Sequence, residues 1–289
     1  MAGRQTALSG YPFFVCATLA LHLSATIGGD LPFGGVLPKL LEHAMAEHTN
    51  GVEQKQRQFN AAMEHYENRS VYRWIERAVS VVNVSLQVCL LALALAAPIA
   101  PLQQLAAFLL AFVLADFVGG LVHMIADNND RYQGFMGPLV AAFHLHHKRP
   151  VYRRRNLFAV YFRESGSKIW LAILLPLVAL AHRLVGLPRF ALHLVAYFAI
   201  LSSVAEVSHY LCHVQHRRIF DLMARVGVLL SQRHHGRHHH SDNQSYAFLN
   251  GMTDPILDRV ASVFFAGYKT TTDLHYARYT GKGTANREG

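Results

Sequence analysis

Charge is what this sequence has little of. Asp, Glu, Lys and Arg make up 16 % of it against 52 % apolar residues, whereas a soluble domain carries about 25 % charged residues. That excludes an ordinary soluble globular protein and points to a membrane protein. Cysteine is scarce too: Cys16, Cys89 and Cys212 are the only three, each in or beside an apolar segment, with no CxxC pair. A disulfide framework and a zinc knuckle are excluded, and the usage fits a cytoplasm-facing active region. Also missing are a dinucleotide-binding glycine fingerprint and a basic platform interleaved with aromatics. The net charge of +9 therefore reads as a basic membrane face rather than a nucleic-acid site, because Lys and Arg flank the apolar runs.

What the sequence does have is long apolar runs. Residues 79–97, 102–126, 169–187 and 190–211 approach or exceed the roughly 20 residues that cross a hydrocarbon core. The expected fold is all-α, an integral membrane bundle of four transmembrane helices, or five if residues 12–28 also cross. That first segment reads as a short span or an interfacial helix, and a signal peptide ranks last because its n-region holds only Arg4. The expected organisation is an apolar segment with a polar helical extension over 1–78, a membrane domain over 79–279 and a polar tail over 280–289. Residues 131–168 read as a polar loop carrying Lys148, Arg149, Arg153, Arg154, Arg155 and Arg163, whereas the hairpin at 98–101 has no basic residue. The positive-inside rule makes the basic face cytoplasmic. Residues 220–230 and 255–265 read as amphipathic interfacial helices.

Histidine is the second abundance. Residues 233–240 read RHHGRHHH, and on a helix His234 and His238, like His235 and His239, fall on one face at i, i+4. The second and fourth spans run in the same direction, so their C-terminal ends reach the same side. One end carries His123 and Asp127, the other His209 and His213, and the intervening loop adds His144, His146 and His147. Convergent imidazoles suit a transition metal. Ionisable groups inside spans are costly and normally mark function, so Asp116 reads as a carboxylate orienting an imidazole or as a structural helix–helix hydrogen-bonding group, and Glu206 as an orienting carboxylate or a direct ligand. The candidate ligands are His123, Asp127, His146, His147, His209, His213, His234, His235, His238 and His239, enough for two ions. Zinc sites close with about four ligands, so a nitrogen-rich two-metal site at a membrane points to iron and oxygen activation on a carbon chain. His43, His48 and His65, among Glu, Gln and Lys, read as solvated helix residues.

The stretches ADFVGGLVHMIAD (115–127), HHKRP (146–150), HYLCH (209–213) and RHHGRHH (233–239) resemble the lipid desaturase family, which includes Kua/CarF-type plasmanylethanolamine desaturases and the plant plastid desaturase of phosphatidylglycerol. The resemblance covers about 115–258. It implies a di-iron membrane enzyme that uses molecular oxygen and takes electrons from an external cytochrome b5 or ferredoxin to desaturate a lipid chain. It implies the same ligands, with Asp127 as ligand or orienter. Two points depart from the family pattern: Arg155, Asn156, Leu157 and Phe158 stand where relatives have Arg-His-Asp-Phe, and Asn243 where they have a histidine. His144, His216 and His240 are the extra histidines that would substitute. A lipid hydroxylase on the same chemistry is the near alternative, and a histidine-rich metal transporter or sensor the distant one. Replacing His48 or His65 with Ala is expected to leave the metal content of the purified protein unchanged; loss of metal would show that the N-terminal region belongs to the site.

Overall fold

The computed structural model describes residues 36–148, 155–214 and 218–267; the expected segment at 12–28 and the tail at 280–289 lie outside them. The chain divides into two compact units, residues 1–58 and 59–289. A long helix, α1 (Val36–Asn68), runs through the division, and its first part carries an exposed Glu53–Arg57 ion pair at 3.6 Å. All the described residues are helical or loop, with no strand among them.

In the second unit, α1 ends at extended Arg69 and α2 (Ser70–Ala96) begins at once. The expected first span at 79–97 is thus the apolar end of a longer helix. After the turn at Pro98, α3 (Pro101–Asp127) starts with Pro at its first position, where a missing N–H is harmless. α7 (Arg189–Cys212) is the third long apolar helix. Three helices are therefore long and apolar enough to cross a membrane, or four if a bent pair counts as one span. α3 and α7 are the most extensively packed pair. Small residues allow this: Ala111 and Ala115 meet Ala196, Ala199 and Ala205 in one buried cluster.

The loop expected at 131–168 contains two short helices instead. α4 (Gly137–Lys148) carries His144, His146 and His147. α5 (Leu157–Glu164) is started by Asn156, whose side chain accepts from Phe158 N at 2.9 Å. Hydrophobic periodicity was too short there to stand out. A 3₁₀ turn (Ser165–Ser167) then leads into α6 (Ile169–Val185), and the two halves meet at 85°. The expected third span at 169–187 is only the second half of this bent pair.

A bend inside an apolar bundle strands backbone carbonyls, which need a partner where water is absent. Asn83 of α2, fully buried, supplies it: Nδ2 donates to Ser165 O at 2.9 Å and Lys168 O at 3.1 Å. Gln87 donates to Ser203 Oγ at 2.9 Å and accepts from the Tyr161 hydroxyl. Gly166 lets the turn press on α2, since a Cβ there would lie 2.5 Å from Glu76 O. Beyond α7 come α8 (Arg218–Arg225), α9 (Gln232–His240) and α10 (Asp254–Phe264). α8 and α10 leave Ile219, Leu222, Ile256, Val263 and Phe264 exposed, as interfacial helices do. Gly166→Ala is expected to cost about 1–3 kcal/mol, seen as a lower melting temperature in detergent. Gly119→Ala, where an added Cβ meets nothing within 4 Å, is expected to leave it unchanged or raise it.

Candidate metal centre

Four elements deliver side chains to one region. The last turn of α3 brings His123 and Asp127, α4 brings His146 and His147, and α7 ends with His209 and His213. α9 starts on Ser231, whose hydroxyl accepts from His234 N at 3.1 Å, and presents His235, His238 and His239. Their ligand atoms fall into two groups, each with all atoms within 4.8 Å: His146, His209, His213 and His235, and His123, Asp127, His147 and His238. Adjacent residues, 146 with 147, join the groups. His239 lies between them, its ring 4.7 Å from His146 and 5.1 Å from His147.

In the first group the Nε2 atoms face one another. His209 is 3.0 Å from His146 and 3.2 Å from His213, and His235 is 2.8 Å from His213 and 2.9 Å from His239. Imidazole–metal bonds of about 2.0–2.1 Å at right angles separate neighbouring nitrogens by about 3 Å, so these spacings suit ligands of one ion. The buried Nδ1 of His235 has no hydrogen-bond partner, leaving Nε2 as the atom with a role.

The second group makes the stronger case for a cation. His123 Nδ1 donates to the Tyr246 carbonyl at 2.7 Å, and His238 Nδ1 to the Gln244 carbonyl at 3.0 Å. A carbonyl only accepts, so each neutral ring keeps its lone pair on Nε2. Both lone pairs face Asp127 Oδ2, at 3.1 and 3.3 Å, while Oδ1 is 2.9 Å from His147 Nε2. Acceptors buried face to face need positive charge between them. A transition-metal ion fits this donor set of imidazoles and one carboxylate.

Burial works against protonation at four of these imidazoles. Burial, reinforced by the neighbouring His209 and His213, holds His146 well below its ordinary value. Burial pushes His147 down to about 4 in spite of Asp127, and His239 down to about 2. His235 is likewise held well below the usual range by burial. These imidazoles are neutral at pH 7 and available as ligands. Phe248, nearly buried, closes the bundle side: its ring centroid is 4.1 Å from that of His123 and 4.2 Å from His209, stacked on the latter at 9°.

Several expected site residues stand elsewhere. His234 lies about 100° around α9 from His235 and pairs with Asp254, Nε2 to Oδ2 at 2.6 Å, outside both groups. Asp116 touches no imidazole; it accepts from the backbone N–H groups of Asn250, Gly251 and Thr253 and from the Thr253 hydroxyl. It anchors the loop whose next residue, Asp254, holds His234. His144 uses both nitrogens, on the Tyr132 hydroxyl at 2.8 Å and Ala126 O at 2.9 Å. Asn243 donates to Phe265 O and accepts from Tyr246 OH, at a φ of +52° that asparagine tolerates. His240 is exposed, and His216 lies outside the described residues. Glu206 joins neither group; it sits behind His209, Oε2 to Nδ1 at 3.8 Å.

The lipid desaturase domain family matches residues 112–268, more than half of the chain. The chain belongs to that family. No curated protein and no solved structure gives a match. The matched stretch of this lipid desaturase family member holds both groups, while Asn83 and Gln87 lie outside it.

Sequence reading missed the carbonyls of Tyr246 and Gln244, the Phe248 ring and Asp254. No local pattern flags a carbonyl as an imidazole acceptor. Lys168 carried a signal, a lone cation at the head of an apolar run. His235→Ala is expected to lower bound metal sharply. His234→Ala is expected to retain it, at a modest loss of stability from unpairing Asp254. Metal analysis of both variants purified without a polyhistidine tag checks this; equal losses would place His234 in the site.

Proposed function

We propose that the protein is a di-iron lipid desaturase that inserts a double bond into a lipid acyl or alkyl chain. Two electrons come from an external cytochrome b5 or ferredoxin. In balance, one CH2–CH2 unit, one O2, two electrons and two protons give one CH=CH unit and two waters. The observation that carries the reading is the pair of four-ligand groups, buried or half-buried where two short helices meet the C-terminal ends of two long apolar helices in a lipid desaturase domain. When bound, two iron ions would supply activation of O2 for hydrogen abstraction from an unactivated carbon.

The chain's own residues divide the remaining work. His146, His209, His213 and His235 would hold one ion, and His123, Asp127, His147 and His238 the other, with His239 at hand for either. The Tyr246 and Gln244 carbonyls fix the tautomers of His123 and His238. Phe248 keeps water from the bundle side and offers an apolar wall on which a methylene can rest. α8 and α10, with their exposed apolar residues, would lie at the membrane surface and set the depth of the centre. The described basic residues Arg155 and Arg163 would then face the cytoplasm, where an electron carrier would dock.

Protein purified without a tag is expected to contain about two irons per chain. Chelation should abolish desaturation, and Fe(II) but not Zn(II) should restore it. Lipid extracts of expressing cells are expected to contain a product lighter by two hydrogens; a product heavier by one oxygen would assign a hydroxylase instead. Zinc alone, or no metal above background, would sink the oxygen-activation reading.

A further inference from the structure

One buried cation is not accounted for by the ligand groups. Lys168 is 4 % exposed and occupies the break of the bent pair, with non-helical backbone angles of −90° and 61°. Its Nζ is 2.8 Å from Glu206 Oε1 and 5.8 Å from the centroid of the Trp170 ring. Glu206 divides its oxygens: Oε1 meets Lys168, and Oε2 faces His209 Nδ1 at 3.8 Å. His209 Nε2 in turn faces His146 and His213. A line of contacts therefore runs from the helix break, through a carboxylate, to a member of the first histidine group.

We propose that Lys168 and Glu206 are positioning residues for His209. Lys168 holds Oε1, so that Oε2 stays 3.8 Å behind the ring, where its negative charge favours the tautomer protonated on Nδ1 and turns the Nε2 lone pair to the ion. This rests on the reading that His146, His209, His213 and His235 hold a metal.

Three observations support the assignment over a simple ion pair between helices. First, the carboxylate is shared: one oxygen suffices for Lys168, and the other is turned to an imidazole. Second, the break that carries the lysine is held by contacts of its own. An unbroken helix over 157–185 would need neither Asn83 on the Ser165 and Lys168 carbonyls nor the close approach of Gly166 to Glu76 O. Third, His123 and His238 each have a carbonyl on Nδ1 that fixes the tautomer. Glu206 stands on the Nδ1 side of His209, at 3.8 Å a nearby charge rather than a hydrogen-bond acceptor. Loss of such an outer partner typically costs about 10–100-fold in metal affinity.

The test is Co2+ titration of the metal-free protein in detergent, followed by visible absorption. Wild type is expected to bind about two ions per chain. Lys168→Met is expected to bind one with wild-type affinity and the second about 10–100-fold more weakly, and Lys168→Arg should restore the second. Removing one partner of a buried pair also destabilises the fold, so the deciding variant replaces both charges, Lys168→Met with Glu206→Leu. Apolar replacement of a whole buried pair is often neutral for stability, and its metal-free melting temperature is expected to stay near wild type. It should still show the weakened second ion. Wild-type affinity for both ions in the double variant, or equal weakening of both, would overturn the proposal. A wild-type protein that binds no Co2+ would instead overturn the metal-centre reading beneath it.

Discussion

Lone pairs pointed at lone pairs are the constraint on which the rest of this structure depends. His123 and His238 turn Nε2 toward the same oxygen of Asp127, and four further Nε2 atoms meet within about the span of one coordination sphere. Buried or half-buried as it is, such a cluster is unfavourable unless a cation completes it. The protein has to hold it there by other means. It does so from behind, with hydrogen bonds to the far nitrogens and with small residues that let α3 and α7 come close enough to bring their ends together.

The holding groups come from a layer far along the chain from the ligands they serve. Tyr246 and Gln244 lie in the segment after α9, and that segment is itself fastened by three carboxylates. Asp116 binds the turn at 250–253, Asp254 accepts from Ala247 N at 2.8 Å, and Asp258 accepts from Ser245 N at 2.8 Å. Asp116 thus acts on the site at one remove: it fixes the loop that fixes the carbonyls that fix the rings. Asp116, an ionisable group within a long apolar helix, builds this loop rather than touching a ligand.

How much of this was legible in the sequence depended on which chemistry each residue declares. The apolar lengths predicted the spanning helices, and their parity brought the ends of α3 and α7 to one side without any knowledge of the fold. The i, i+4 pairs placed His123 with Asp127 and His209 with His213, because helical spacing is set by geometry alone. What was illegible was rotation and orientation. The five histidines of RHHGRHHH look equivalent in one dimension, yet only the docking angle of α9 decides that 235 and 238 turn inward and 234 turns to Asp254. His144 stood as an extra histidine that would substitute for a missing ligand, but its neighbours in space are Tyr132 and the end of α3. The bent pair was also hidden, since Asn83 satisfies the bend from another helix 82 positions away.

The two groups differ in a way that bears on how each is held. His123, His147 and His238 share a carboxylate, so positive charge placed among them is partly compensated on the spot. His146, His209, His213 and His235 offer four imidazoles and no carboxylate. The nearest one, Glu206, is already paired with Lys168, so that the pair contributes an oriented dipole rather than net negative charge. Charge placed in the first group is therefore stabilised less by ligand charge and more by the orientation of the rings. Orientation is set by packing and by the far-side partners. That asymmetry follows from the identity of eight side chains, and it makes the first group the more sensitive of the two to the helix break, to Phe248 stacked on His209, and to small shifts of α7 against α3.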